Sequence, residues 1–146
     1  MNNKSKKQQG GATLIEVLVS MVIIMVGVLG AIGLKVVSAR AVADSNLRST
    51  AAMYAQDILE RARANPARAT SGGYNLAAGA QPPSAPVNIA ETDLVEWSTR
   101  LSTNLPSGKG TVNVVGSAVT VTVQWLERAP QNSTGQLVTF SFTSQL

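Results

Sequence analysis

Glu16 is the one charge in an otherwise apolar run from Ala12 to Leu34, and Val17 to Leu34 is 18 residues without any charge. A carboxylate near the start of a membrane-length segment costs about 2–3 kcal/mol or more, so it either finds a partner or reaches up to the headgroup region. Three more carboxylates, Glu91, Asp93 and Glu96, crowd one short stretch. Paired acids can serve acid–base chemistry, but no nucleophile or pocket-forming pattern accompanies these, and they read as surface charge in the first turns of a helix. Arg61, Arg63 and Arg68 could grip phosphates. With no aromatic residues interleaved, they read instead as cations that complement a helix C-terminus, and no direct contact with nucleic acid is expected. The chain has no histidine and no cysteine, which excludes His or Cys metal ligands, a cysteine nucleophile, a histidine base and any disulfide. No catalytic residue, metal site or cofactor is assigned.

These groups sit on elements that hydropathy and spacing predict. Met1 to Gly11 is polar and basic through Lys4, Lys6 and Lys7. A secretory signal peptide would place a small-residue cleavage site after an apolar core of about 7–15 residues. Here Gly10-Gly11 precedes the apolar stretch, which continues into Lys35–Arg40 with no such exit and is long enough to cross a bilayer as a helix. Basic residues balance across it, with Lys4, Lys6 and Lys7 on one side and Lys35, Arg40 and Arg48 on the other; the shortness of the leader places the N-terminus in the cytosol. Removing the leader takes away three of twelve basic residues, so the net charge falls from +4 to +1 and the pI of 9.9 describes mostly the leader. Gly27, Gly30 and Gly33 recur at every third position of the apolar helix. They permit close helix packing, soften the helix, or reflect ordinary glycine enrichment in membrane spans.

Gly11-Ala12-Thr13-Leu14-Ile15-Glu16-Val17-Leu18-Val19 resembles the prepilin signature of type IV pilins and type II secretion pseudopilins. The resemblance implies that a prepilin peptidase cuts between Gly11 and Ala12. It further implies that Ala12 is then N-methylated and that Glu16 pairs with the N-terminal amine of a neighbouring subunit. Ala12 stands where the family most often has phenylalanine. Ala55–Pro66 together with Gly27–Leu34 resembles the PilV branch of minor pilins. The implied partners are the inner membrane, prepilin peptidase, other minor and major pilins, and the pilus assembly platform. The implied protein is a single-pass inner-membrane precursor with a periplasmic C-terminal domain, later incorporated into a pilus. A minor pseudopilin of type II secretion is the alternative, and an adhesin or DNA-binding tip module is a further one.

The remaining sequence fits an α+β, pilin-like plan. Residues 12–34 form the membrane or filament-core helix. Residues 35–65 continue it as an amphipathic half, with Leu47, Ala51, Tyr54, Ile58 and Ala62 on one face, until Asn65-Pro66 ends it. One helix of about 53 residues, roughly 80 Å long, is expected, carrying a small head like the stick of a lollipop. Residues 66–88 read as a loop, and residues 89–146 as the α+β part that completes the head. In that part, Asn88 and Glu91 have capping spacing ahead of a helix over about 90–104. Strands follow over 111–115, 118–126 and 136–144, the first two joined at Gly116-Ser117. Trp97 and Trp125 are expected in the core. The sequon Asn132-Ser133-Thr134 is too short a pattern to carry weight. Many pilin heads carry a disulfide; this one must hold by apolar burial alone.

Overall fold

The computed structural model describes residues 13–127 and 135–146. In chain order it contains α1 (Leu14–Ala64), α2 (Pro66–Thr70), α3 (Ile89–Asn104), β1 (Lys109–Val115), β2 (Ala118–Glu127) and β3 (Gln136–Gln145). The chain divides into two compact units, Met1–Val42 and Ala43–Leu146. The architecture is the expected α+β one: a long N-terminal helix, short helices, and an antiparallel three-stranded sheet in the order β1-β2-β3.

The described part of the first unit is helix throughout from Leu14, and none of its residues is buried. The second unit holds the core. β2 alternates strictly, burying Val119, Val121, Val123 and Trp125 while Thr120, Thr122 and Gln124 face outward. Residues 43–64 of α1 contribute Ala51, Ala55, Ile58, Leu59 and Ala62 to the same cluster, and α3 adds Ala90, Leu94, Trp97 and Leu101. The three alanines keep the α1 face flat where it meets the core. Leu47, Tyr54, Val138, Phe140 and Phe142 pack around the edge of the cluster. Each fully buried large apolar side chain contributes about 1.5–3 kcal/mol, and this burial stands in for the missing disulfide.

Local chemistry sets the boundaries. Asn88 caps α3 as its spacing suggests: its Oδ1 accepts from the Glu91 backbone N–H at 3.1 Å, and its Nδ2 donates to Glu91 Oε1 at 2.6 Å. Glu91 Oε2 also accepts from the Val87 N–H at 2.8 Å, one residue before the cap, so the acid reaches back across the helix start as in a capping box but on the preceding amide. The β1–β2 turn puts Gly116 at φ 61°, while Ser117 keeps a negative φ, the pattern of a type II′ hairpin. One difference from expectation follows Asn65. The chain makes the short helix α2 rather than entering a loop directly, because a proline at the first helical position has a suitable φ and no N–H to leave unpaired. The 71–88 connection is also tied down. Leu76 exchanges two backbone hydrogen bonds with Val112, and Asn75 Oδ1 accepts from the Val114 N–H at 2.7 Å, which covers the outer edge of β1.

Candidate functional site

α1 begins at a polar cap. Thr13 lies just outside the helix; its carbonyl accepts from the N–H groups of Glu16 at 3.0 Å and Val17 at 3.2 Å, and its Oγ1 lies 3.4 Å from the Glu16 nitrogen. Thr13-Leu14-Ile15-Glu16 is therefore half of a capping box, a pattern that was readable three residues upstream of Glu16 and that sequence reasoning missed. Glu16 occupies the first turn, where a negative charge meets the positive end of the helix dipole. Its side chain is exposed and forms no ion pair among the described residues. Gly11 and Ala12, the expected cleavage and methylation positions, lie outside the described residues, as does the Asn132 sequon.

From Val17 to Leu34, α1 is apolar and exposed. An 18-residue window of it has a mean hydropathy of 2.8 with none of its residues buried, enough by length and composition to span a bilayer. Gly27, Gly30 and Gly33 fit this picture in one informative way: a methyl group added at any of them would meet nothing within 4 Å. Nothing in the described chain requires a glycine there.

The charged residues at the other end of α1 are organised differently from the sequence expectation. Asp93 is not surface charge; it is only 8% exposed. Its Oδ1 accepts from Arg61 Nη1 at 2.7 Å, and its Oδ2 accepts from the hydroxyl of Tyr74 at 2.7 Å. The reason is its place on the inward face of α3, one residue before Leu94 and four before Trp97. Arg61 also reaches Glu96 at 3.1 Å and Asp57 at 3.3 Å. Burial works against its charge, yet the hydrogen bonds to Asp93, Glu96 and Asp57 outweigh that cost and raise the guanidinium further above its ordinary value. Burial, and then the hydrogen bond to Asp93, push the Tyr74 phenol up to about 12. Arg63 donates to the Gln145 carbonyl at 2.7–2.9 Å and to Ser144 Oγ at 2.7 Å, pinning the end of β3. Two of the three arginines thus act inside the head as clamps between α1, α3 and β3. Arg68 is exposed on α2. Among the described residues no group of three or more His, Cys, Asp and Glu side chains could hold a metal ion.

Residues 6–32 match the prokaryotic N-terminal methylation motif. That match supports a pilin-like protein. The matched stretch contains Gly11, Ala12 and Glu16 and runs through Gly27 and Gly30 into the bare helix. The pilin-like reading brings with it processing by prepilin peptidase, association with other pilins, membrane anchoring by a single span, and a structural rather than catalytic role. No curated protein and no solved structure matches the chain.

Proposed function

We propose that the chain is a minor pilin of a type IV pilus, similar to the PilV branch, whose work is assembly. The observation that carries this reading is the methylation motif over residues 6–32, leading into an apolar helical segment that is bare among the described residues. Cleavage between Gly11 and Ala12 would remove the basic leader and create an amine four residues ahead of Glu16. Methylation leaves that amine basic. In a lipid or filament core an unpaired Glu16 carboxylate is costly, and the amine of a neighbouring subunit relieves the cost only when the two chains are in register. The ion pair therefore sets stagger, while the bare apolar surface of α1 supplies the area that assembly buries. Gly27, Gly30 and Gly33 would serve that packing or let the helix give. The N-terminus then lies in the cytosol before cleavage and the head in the periplasm. In this reading the protein joins other minor and major pilins on the assembly platform, and adhesion, motility or DNA uptake are consequences of the filament.

Mass spectrometry of the mature N-terminus tests the pathway. A chain starting at methylated Ala12 is expected, and an intact Met1 in the mature protein would overturn the reading. Glu16→Ala tests the register role. It should leave membrane insertion unchanged and deplete the protein from the sheared pilus fraction; equal recovery of variant and wild type in that fraction would sink the ion-pair argument.

A further inference from the structure

The head contains a cleft that the assembly role does not use. It has a volume of about 480 Å³ and opens between the 76–82 loop, the outer face of α3 and the turn at 107–110. Its size lies in the ordinary range for small-molecule sites. Its chemistry is lopsided. α3 presents three hydroxyls to it, and each is already committed as a donor: Ser98 Oγ to the Val95 carbonyl at 3.0 Å, Thr99 Oγ1 to the same carbonyl at 2.8 Å, and Ser102 Oγ to the Thr99 carbonyl at 2.9 Å. What they offer the cleft is lone pairs. The one charged residue in the lining is Lys109, whose ammonium has three donors and no ion pair among the described residues.

The turn that carries Lys109 is held rigidly. Ser107 has φ 53°, a left-handed value that costs a non-glycine residue of order 1–3 kcal/mol and persists only when its surroundings enforce it. Those surroundings are visible on both sides. Gly108 lies so close to the Leu101 carbonyl that no side chain fits, its N–H donates to the Leu105 carbonyl at 2.9 Å, and Gly110 lies equally close against the Trp97 ring. The α3 acceptors and the Lys109 cation line the same cleft, the Gln81 amide and the Ser107 hydroxyl complete its polar groups, and the rigid turn preorganises this surface.

From this arrangement we propose that the cleft binds an acidic sugar, a hexuronic acid or a chain end carrying one. Such a ligand brings several O–H donors for the α3 hydroxyls and one carboxylate for Lys109. Inorganic phosphate at neutral pH brings a charge but only one or two O–H donors, fewer than the three α3 hydroxyls can accept from. A neutral sugar brings donors but leaves Lys109 unpaired, and an amine is repelled. With no aromatic platform in the lining, affinity is modest, with a Kd of about 1 mM.

The test is a titration of the full chain in detergent micelles, following the backbone amide resonances of Ser107, Lys109 and Gly110 with galacturonate, galactose and inorganic phosphate as separate probes. Galacturonate should produce saturable shifts and bind about fivefold more tightly than galactose, the worth of one exposed ion pair. Lys109→Gln, an exposed substitution, should erase that preference and leave galactose binding unchanged. Ser98→Ala with Ser102→Ala should weaken both sugars and keep the preference. Phosphate binding as tightly as galacturonate, a Lys109→Gln preference equal to that of the wild type, or no saturable shift with either sugar overturns the proposal.

Discussion

Replacing Asp93 with alanine removes a side chain that ties α1, α3 and the 71–88 connection together. Both carboxylate oxygens are used, one by Arg61 and one by Tyr74, each at 2.7 Å. A hydrogen bond to a charged group is worth about 1.5–3 kcal/mol, so two would suggest a loss near 4 kcal/mol. Three features of the site reduce that figure. Arg61 keeps Glu96 at 3.1 Å and Asp57 at 3.3 Å, so its charge is not orphaned. The Tyr74 hydroxyl keeps the Arg61 carbonyl at 3.2 Å. Removing a mostly buried carboxylate also recovers part of its own desolvation cost. The net loss is about 2–3 kcal/mol, which for a unit spanning Ala43–Leu146 lowers Tm by roughly 8–15 °C.

The two tryptophans give a clean readout. Trp97 and Trp125 are 0% and 1% exposed and both lie in the head, so their fluorescence follows head unfolding and ignores the bare part of α1. Glu96→Ala is the control; its side chain is half exposed, and its removal should cost well under 1 kcal/mol despite the contact with Arg61. A double-mutant cycle of Asp93→Ala with Tyr74→Phe should return a coupling of about 1 kcal/mol. Asp93→Ala melting with Glu96→Ala, or a coupling of zero, would refute the assignment of Asp93 as the tie.

The same phenol gives a pH prediction. Tyr74 titrates near 12 in the folded head against about 10 in an unfolded chain, so the fold favours the protonated form. That contribution is complete below pH 10 and is lost as pH rises toward 12; by linkage it amounts to about 2 kcal/mol. Tyr74→Phe should flatten the decline of Tm between pH 10 and 12, and an unchanged decline would place its cause elsewhere. Two kinds of glycine should also separate. Gly108→Ala drives a methyl group into the Leu101 carbonyl and should cost about 1–3 kcal/mol by head fluorescence, whereas Gly30→Ala opens on empty space and should leave the head melt unchanged.

What was legible in the sequence follows from how local each signal is. The strict alternation Val119-Val121-Val123-Trp125 and the stripe Ala51-Ala55-Ile58-Ala62 are periodic, and both landed in one core as expected. The Asn88–Glu91 cap is a contact over three residues and was equally visible. Asp93 was misplaced for the opposite reason. Its burial depends on Arg61, 32 positions away, and on Tyr74, 19 positions away, and neither pairing leaves a trace in spacing. The cleft was invisible on the same ground, because Ser102 and Lys109 become neighbours only when α3, the 76–82 loop and the 107–110 turn are assembled. At the N-terminus the motif is a run of adjacent residues and the Thr13–Glu16 cap spans only three positions, so both signals are local.

The glycines divide the molecule more sharply than its hydropathy does. Gly108 and Gly110 are required by the head itself: any side chain would strike backbone or the Trp97 ring. Gly27, Gly30 and Gly33 have no such requirement, and each costs about 1 kcal/mol of helix propensity against alanine. Folding of the described chain offers no return for that cost. Among the described residues the same stretch carries an unpaired carboxylate at Glu16 and an apolar surface that none of them covers. Three unmet demands — close-packing room without a neighbour, charge without a partner, apolar area without a cover — fall together on one helix segment. A lipid bilayer meets only the last of them. A second helix with a basic N-terminus, packed alongside, meets all three, which is why the segment reads as an assembly surface as well as an anchor.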